Sequence, residues 1–383
     1  MDQRFGFYEF FCGGGMARAG LGENWDCMFA NDIDESKADS YQRNWSSDHL
    51  KVGDVANIEI CELPGNADLA WASFPCQDLS LAGNGAGLNG DRSGTFWHFF
   101  NLIKKLREEN RAPKIVVLEN VYGALTSNKG NDFLTICKVL IEENYNVGAV
   151  VINASDFLPQ SRPRLFFIAI QKESIDISFA LQDLPDPKWH PKALVSIYEK
   201  MDERMKSGWL WWRLPHPKDR QCDLIDILEK EPTSVKWNSL EQTERLIDLM
   251  LPLHKAKLEA MKSKGGAFVG AIYKRTRLDN NGIKGQRAEI RFDNLAGCLR
   301  TPGGGSSKQI IMLVNNNEVK SRLLSSREMA RLMGLPDTFI LPERYSEAYH
   351  LLGDGVAVPV VSHITKYILE PLIQFFKKSK QAA

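Results

Sequence analysis

The stretch that decides the fold is FGFYEFFCGGGMARAGL, residues 5–21. Its first part, residues 5–11, is apolar and aromatic and predicts a buried strand, and the three glycines that follow lead into a predicted helix over residues 16–21. Glycines at a strand-to-helix turn let a ligand approach the backbone, and the start of a helix favours a negatively charged group. The stretch therefore predicts a ligand-binding turn at the beginning of an α/β fold.

The same alternation of short apolar runs and helical patterns continues to about residue 171. Further strands are predicted at residues 27–31, 67–73, 114–118, 147–153 and 165–170, and helices at residues 35–44 and 96–108. Strands separated by helices predict a mostly parallel, doubly wound sheet with helices on both faces, in which the last two strands pair near one edge. Two more helices are predicted at residues 326–333 and 358–376.

The pattern changes after residue 171, where tryptophans and prolines appear without a strand–helix rhythm. Residues 255–308 carry twelve Lys or Arg and only four acidic residues. Such a run is either a solvated face or a surface that contacts phosphates. We predict one domain formed by residues 1–185 together with 350–383, and a smaller, irregular domain with its hinge at residues 186–349.

The composition is that of an ordinary globular protein, with 48 basic and 48 acidic residues and no net charge. The chain as a whole therefore has no net positive electrostatic field that would indicate a nucleic-acid partner. A prediction that it binds nucleic acid must rest on local charge. The seven cysteines are scattered without a C-x-x-C pair, which argues against disulfides and zinc and fits a reducing cytoplasm. No basic start before a long apolar run is present, so we expect neither a signal peptide nor a membrane span.

One acidic residue follows the second predicted strand, and another lies in a turn before the strand at residues 67–73. Asp32 stands nineteen positions after Gly13, where a doubly wound fold places a carboxylate that hydrogen-bonds a ribose. Asp54, in a Gly-Asp-Val turn, is placed to accept from an adenine amino group. A structural turn explains either acid equally well, and the pattern alone does not distinguish a nicotinamide cofactor from S-adenosylmethionine.

A cysteine follows the predicted strand at residues 67–73. Phe74, Pro75 and Cys76 come directly after it, which places the thiol at the carboxyl edge of the sheet, where open α/β folds bind ligands. Pro75 fixes its own φ angle and holds Phe74 extended. A cysteine is more often a small buried hydrophobe. Here polar residues and a glycine-rich loop at residues 83–94 follow it, which predicts a nucleophile beneath a lid.

Charged residues flank the last two central strands. Glu119 comes directly after the apolar run 114–118. An acid in this position is either part of a helix N-cap region or a functional carboxylate. Arg162 and Arg164 precede the strand at residues 165–170. Two arginines beside a buried strand require anionic or carbonyl partners, because an unpaired buried charge is costly.

Taken in order, the motifs F-x-G-x-G, P-C-Q, E-N-V and Q-x-R-x-R resemble those of the bacterial DNA cytosine-5 methyltransferase family. The resemblance covers residues 4–170 and resumes at residues 327–336 and 353–356. The unmatched middle is where that family keeps its target-recognition domain. The resemblance implies a Rossmann-like, doubly wound S-adenosylmethionine-dependent domain with a smaller recognition domain.

The resemblance also implies roles for the reacting residues. Cys76 would add as a thiolate to C6 of a flipped-out cytosine in double-stranded DNA. Glu119 would contact N3 and the exocyclic amine and pass a proton to N3. Arg162 would bind the O2 edge, and Arg164 would orient the site or contact Glu119. The family acts without a metal, and we expect a monomer that serves either restriction–modification, with a cognate endonuclease acting separately, or solitary DNA methylation.

The family pattern assigns cofactor and DNA contacts as well. Phe11 would lie against the adenine, with Asp32 on the ribose, Asp54 on the adenine amine, and Gly13 and Gly15 at the methionine end. Other residues expected at S-adenosylmethionine are Ile33, Val55, Phe74, Pro75, Asp354 and Val356. Residues expected at DNA are Ser80, Arg92, Lys274, Arg275, Arg277 and Arg300.

Three positions depart from the family pattern. Glu9 stands where Asp is usual, Asp354 where Asn is usual, and Cys298 where a Thr often precedes an aliphatic residue. An Asp side chain cannot donate as an amide does, so the role of residue 354 is open.

Three other functions compete with this interpretation. An RNA cytosine-5 methyltransferase would use the same chemistry, although the long basic, Trp-containing middle favours duplex DNA. A nicotinamide dehydrogenase would explain the glycine turn but gives P-C-Q and E-N-V no role. A catalytically inactive DNA-binding module is disfavoured, because Cys76, Glu119 and Arg162 are all present.

Overall fold

The computed structural model describes residues 4–75, 94–173, 176–278, 282, 284–301 and 308–382. The chain forms two compact units. The first comprises Met1–Asn153, Pro163–Pro217 and Val356–Ala383, and the second comprises Ala154–Arg162 and Lys218–Gly355. These limits differ from the predicted ones, because residues 186–217 belong to the first unit and residues 350–355 to the second.

The first unit contains a seven-stranded sheet in the order β3-β2-β1-β4-β5-β7-β6. All neighbours are parallel except β7, which runs antiparallel to both β5 and β6. The mostly parallel α/β sheet and the pairing of the last two strands are thus confirmed. The strands are β1 (Phe5–Phe10), β2 (Trp25–Asp32), β3 (Leu50–Val52), β4 (Leu69–Ala72), β5 (Ile115–Val121), β6 (Tyr145–Asn153) and β7 (Pro163–Gln171).

Helices alternate with these strands. They are α1 (Met16–Leu21), α2 (Glu35–Asn44), α3 (Thr95–Glu108), α4 (Asn131–Glu142), α5 (Lys192–Tyr198), α6 (Glu203–Ser207), α11 (Val358–Ile364) and α12 (Glu370–Ala382). The central strands are apolar on both faces, as buried parallel strands are. Phe10 of β1, for example, packs against Phe29 of β2 and Phe99 of α3, with ring centroids 5.6 and 5.0 Å apart.

A tryptophan-rich segment covers the edge strand β6. The carbonyl of Gly208 accepts from the Val147 N–H, and the Leu210 N–H donates back to Val147. Gly148 has no room for a side chain, because a Cβ there would lie 2.1 Å from the Leu210 carbonyl. Trp212 is fully buried and donates to the Ile168 carbonyl of β7. The large rings thus pack in the first unit, which explains why the unit extends past residue 186.

The chain returns to the first unit at α11, which packs against α1. A Cβ on Gly20 would lie 2.4 Å from the Val361 side chain, so the glycine permits the close approach of the two helices. The hydroxyl of Ser362 donates to the Gly20 carbonyl across 342 residues of sequence. Residues 345–379 are long and apolar enough to cross a membrane, but 61% of their most apolar window is buried inside the protein, as in a core helix.

The second unit contains a four-stranded antiparallel sheet that the sequence analysis did not predict. Its order is β11-β10-β8-β9, and its core includes Leu246, Leu258, Ile272 and Met312. Its strands are β8 (Ala267–Leu278), β9 (Lys284–Arg291), β10 (Ile310–Asn315) and β11 (Glu318–Leu323). Its helices are α7 (Leu240–Asp248), α8 (Pro252–Lys264), α9 (Ser326–Leu332) and α10 (Tyr345–Asp354).

Candidate active site

Polar side chains gather at the carboxyl edge of the sheet in the first unit. β1, β2, β4 and β5 end at this edge, because they are parallel. β7 begins there, because it runs in the opposite direction, and its register pairs Arg164 with Val121. The topology therefore places the start of β7 beside the end of β5.

Glu119 and Arg164 form an ion pair at this edge. The Arg164 Nε lies 3.1 Å from the Glu119 Oε1, and the two side chains are 13% and 7% exposed. The contact expected between these residues is present. A carboxylate held by a guanidinium in a largely dry position is an arrangement found at catalytic sites.

Asn120 connects this pair to the strand end that leads to residue 76. Its Nδ2 donates to the Phe74 carbonyl at 3.3 Å, and its Oδ1 accepts from the Val121 N–H at 2.9 Å. Pro75 follows Phe74, whereas Cys76 lies outside the described residues. The sequence analysis gave Asn120 no role. The signal that could have identified it is an amide side chain just after the apolar run of a predicted buried strand.

The glycine turn after β1 has the backbone that a close ligand needs. Gly13 and Gly15 have φ angles of +55° and +77°, a region that L side chains rarely adopt. A Cβ on Gly13 would meet nothing within 4 Å, so open space adjoins this backbone. Gly15 instead lies against Trp45, whose ring nitrogen donates to the Gly14 carbonyl at 3.1 Å.

Asp32 supports the turn and still offers acceptors to a ligand. Its Oδ2 accepts from the Gly13 N–H at 2.8 Å and its Oδ1 from the Asp34 N–H at 2.9 Å. Each carboxylate oxygen keeps a further lone pair, which a ribose hydroxyl can use. Burial raises the pKa of Asp32 above its ordinary value. The next side chain, Ile33, is 67% exposed and presents an apolar surface beside this carboxylate.

The turn that carries Asp54 is fixed by a buried amide. The Asn31 Nδ2 donates to the carbonyls of Lys51 and Gly53 at 3.0 and 2.9 Å. The Asp54 Oδ1 accepts from the Ala56 N–H and caps a short 3₁₀ turn that begins at the buried Val55. Asp54 thus has a structural role, and its second oxygen is not used by this cap.

A buried acid that the sequence analysis did not assign lies beneath the glycine turn. Glu9 is 1% exposed, and its Oε1 accepts from the Arg18 N–H in α1 at 3.4 Å. Burial raises the pKa of Glu9 to about 8, with the nearby Arg18 guanidinium partly opposing the shift. The substitution of Glu for the usual Asp therefore places a carboxyl group that can hold its proton near neutral pH.

Arg162 belongs to the second unit and differs from the expectation. It is 1% exposed, its Nη1 donates to the Leu299 carbonyl at 2.7 Å, and its Nη2 donates to those of Gly353 and Gly355 at 2.8 and 2.5 Å. The partners that the sequence analysis required are therefore backbone carbonyls. This geometry does not support a contact between Arg162 and the O2 edge of a base, because its terminal nitrogens already hold the backbone.

Two of the predicted cofactor residues lie at the end of α10 and beyond it. Asp354 is exposed and accepts a hydrogen bond from the Thr301 hydroxyl within the second unit. Val356 is 4% exposed and belongs to the first unit.

Three of the expected DNA-binding residues lie along β8. Arg275 and Arg277 are exposed and share one face of the β8–β9 hairpin with Glu289. Glu289 lies 3.7 Å from the Arg275 Nε and 3.0 Å from the Arg277 Nη2. Lys274 lies on the opposite face and is half-buried, and Arg300 is exposed. Ser80 and Arg92 lie outside the described residues.

Comparison with known proteins agrees with this geometry. A family model described as C-5 cytosine-specific DNA methylase matches residues 5–370. The chain is 29% identical over 377 residues to the Type II methyltransferase M.HpaII of Haemophilus parainfluenzae, covering 97% of this chain and 91% of that protein. It is 25% identical to the Type II methyltransferase M1.ScrFI of Lactococcus lactis subsp. cremoris, over 99% of this chain and 80% of that protein. The Dnmt2 methyltransferase of S. pombe has a similar fold, with a TM-score of 0.60 at 18% identity over 96% of this chain and 99% of that one.

Proposed function

This chain belongs to the C-5 cytosine-specific DNA methylase family and is a DNA cytosine-5 methyltransferase, and we propose that its substrate is a flipped-out cytosine in a specific double-stranded sequence. We propose further that it is the modification half of a restriction–modification pair, as the Type II names of its relatives suggest. The observation that carries the catalytic assignment is the Glu119–Arg164 pair, joined through Asn120 to the strand end that leads to Cys76.

The residues of the glycine turn fit S-adenosylmethionine, which supplies an electrophilic methyl group when bound. The open backbone at Gly13 would admit its methionine end, with Gly15 completing the turn. Asp32 would accept from the ribose hydroxyls. The aromatic and apolar side chains of Phe11 and Ile33 would contact the adenine. Further residues proposed at this ligand are Asp54, Val55, Phe74, Pro75, Asp354 and Val356.

Cys76 and Glu119 would carry out the chemistry on the base. The Cys76 thiolate adds to C6 while Glu119, which must hold or share a proton at that moment, protonates N3. C5 thereby becomes enamine-like and attacks the methyl group, and S-adenosylhomocysteine is released. Loss of the C5 proton to a base, expulsion of the Cys76 thiolate and return of the N3 proton to Glu119 then restore the aromatic ring as 5-methylcytosine. The base must leave the duplex to meet these groups, at a cost of a few kcal/mol.

Arg164 is the better candidate for the O2 edge than Arg162. It lies beside Glu119 with its side chain 13% exposed, whereas Arg162 is 1% exposed and holds three backbone carbonyls. A guanidinium beside the acid stabilises the charge that develops on O2 as the thiolate adds. Removing one such donor costs roughly 3–4 kcal/mol of transition-state stabilisation.

The second unit is proposed to recognise DNA. Among its paired residues in β8 and β9, the exposed face of the hairpin carries Arg275, Arg277 and Arg287 against the acid Glu289, so these paired residues have a net positive charge. A two-stranded ribbon fits the major groove of a duplex. Lys274, Arg300, Ser80 and Arg92 are proposed as further phosphate or base contacts.

The decisive experiment uses a duplex in which 5-fluorocytosine replaces the target base. Fluorine at C5 cannot leave as a proton does, so the wild-type protein with S-adenosylmethionine should become covalently trapped on the duplex. The Cys76→Ser variant should bind the same duplex without trapping. Absence of trapping with the wild-type protein would contradict the covalent mechanism.

A second measurement tests the substrate. Label from methyl-labelled S-adenosylmethionine should enter bulk duplex DNA, and bisulfite sequencing of DNA from expressing cells should then show the recognised sequence. If label is found only in tRNA, the substrate is RNA and the proposed DNA substrate is wrong.

A further inference from the structure

Two short segments of the second unit are held together by a buried arginine. Arg162 reaches residue 299 with its Nη1, and residues 353 and 355 with its Nη2, at 2.5–2.8 Å. Its side chain is 1% exposed, so these bonds form in a low-dielectric interior, where charge-assisted hydrogen bonds are strong. One side chain therefore fixes residues 298–301 against residues 353–355.

Two independent features close the same junction. The Thr301 hydroxyl donates to the Asp354 Oδ1. A Cβ on Gly353 would lie 2.9 Å from both the Arg300 carbonyl carbon and the Thr301 nitrogen, which are backbone atoms that cannot yield cheaply. Arg162, Thr301–Asp354 and Gly353 together form what we call the clamp.

At position 354 the clamp uses only the acceptor that Asp and the usual Asn have in common. An amide at this position offers both a donor and an acceptor, whereas a carboxylate only accepts. Here the Thr301 hydroxyl, on the opposite segment, donates to the Asp354 Oδ1. An Asn side chain at this position has an oxygen that could accept the same hydrogen bond.

The two segments lead to residues with different proposed partners. Arg300, a proposed DNA contact, lies inside the first segment, and Gly355 of the second is followed directly by Val356, a proposed cofactor contact. A ligand that orders one segment lowers the cost of ordering the other, because the clamp allows them no independent movement.

We propose that Arg162, Thr301 and Gly353 are positioning residues that couple DNA binding to cofactor binding through this clamp. The proposal rests on the proposed function, because it takes Arg300 as a DNA contact and Asp354 and Val356 as cofactor contacts. Thr301 is not among the residues proposed to contact either ligand and would act through Asp354.

The test compares Thr301→Val with Thr301→Ser in the full chain. Valine keeps the shape of threonine but removes the donor, whereas serine retains the hydroxyl. The dissociation constant of a duplex carrying the methylated sequence is measured with and without S-adenosylhomocysteine. We expect the cofactor product to tighten duplex binding at least about fivefold in the wild-type and T301S proteins, and less than about twofold in T301V.

A second variant guards against a purely structural effect. Gly353→Ala should reduce the same ratio, because its Cβ forces the segments apart, and melting temperatures recorded alongside show whether each variant is folded. The ratio is that of the duplex dissociation constants without and with S-adenosylhomocysteine. If a folded T301V or G353A protein keeps the wild-type ratio, the proposed coupling is wrong. It is also wrong if the ratio in the wild-type protein is one. If the wild-type protein binds neither the duplex nor S-adenosylhomocysteine, the proposed function itself fails.

Discussion

The two units each contain an arginine–glutamate pair with nearly the same separation. In the first unit, Arg164 and Glu119 are 3.1 Å apart and 13% and 7% exposed. In the second, Arg277 and Glu289 are 3.0 Å apart and 51% and 27% exposed. Water solvates and screens the second pair but hardly reaches the first. The difference teaches that the same separation has a different electrostatic strength in different surroundings, which is why we propose the first pair for a reaction site and the second for a binding surface.

The largest effect is expected at the buried pair. Glu119→Gln preserves the shape and can still accept from Arg164, but it cannot give a proton to N3. The rate of methyl transfer should fall by about 10²–10⁴-fold, the usual contribution of a positioned acid. Single-turnover incorporation of labelled methyl groups measures it, and calorimetry of S-adenosylmethionine binding is the control. A decrease of less than about tenfold would mean that Glu119 is not the positioned acid, and the buried pair would then not differ in function from the exposed one.

Burial of Glu9 should also give the first unit a pH dependence of stability. The pKa of Glu9 is about 8 in the folded protein, against an ordinary value of 4.5. Below pH 4.5 both folded and unfolded chains hold the proton; between 4.5 and 8 only the folded chain does. The free energy of unfolding that depends on Glu9 should therefore fall as the pH rises through this window, by at most about 1.4 kcal/mol per pH unit.

Urea unfolding at several pH values tests this effect through the difference between two proteins. Glu9→Gln cannot titrate, so its stability relative to wild type should improve steadily from pH 5.5 to pH 8. Glu289→Gln, which changes an acid in the second unit, is the matched control and should parallel the wild-type protein. Parallel curves for wild type and E9Q would show that Glu9 is ionised in the folded state.

A smaller effect is expected on the exposed face of the hairpin. The double variant Arg275→Ala, Arg277→Ala should weaken duplex binding about tenfold at about 50 mM salt and lower the salt slope by roughly two, one per cation that contacts phosphate. The loss should be similar for cognate and unrelated sequences. Arg344→Ala removes an exposed, ion-paired arginine outside the hairpin and is the control. An unchanged salt slope in the double variant would remove this face from the DNA contact.

The smallest effect is expected when only the acid of the exposed pair is changed. Glu289 competes with phosphates for Arg275 and Arg277, so Glu289→Gln should strengthen duplex binding about two- to fivefold at about 50 mM salt. The gain should vanish near 1 M salt, where screening acts over about 3 Å. Glu347→Gln, which releases Arg344, is the matched control. Weaker binding by E289Q would mean that the acid organises the arginines instead of competing for them.

Much of the first unit could be predicted, because its signals are local. The predicted bounds of α1 and α2 agree with the structure, since glycine precedes one helix and the Asp34 side chain caps the other. Strand ends differ by one to three residues: pairing with a neighbour extends β2, β6 and β7 beyond the apolar run, whereas β1 and β4 end within it. The Glu119–Arg164 contact was one of two roles that the family resemblance implied for Arg164, and the pairing of β5 with β7 brings the two residues together.

Features that depend on distant partners could not be predicted. The sequence shows that Arg162 needs acceptors, but only the fold reveals that these are carbonyls at residues 299, 353 and 355. The Asn120–Phe74 and Trp45–Gly14 bonds likewise join residues 46 and 31 positions apart. The β8–β9 hairpin was missed because charged residues follow its apolar start and hide the pattern of a strand. The sequence showed that this region is rich in Lys and Arg, but not that it forms a hairpin.

The packing of α11 on α1 has a consequence for how the protein is made. The glycine turn and α1 leave the ribosome early, but the surface at Gly20 stays bare until Ser362, 342 residues later, has been translated. At about 5–20 residues per second this takes on the order of tens of seconds. The second unit is synthesised within that interval and can fold first. A nascent chain therefore completes the packing of its first unit only after the second unit has been synthesised.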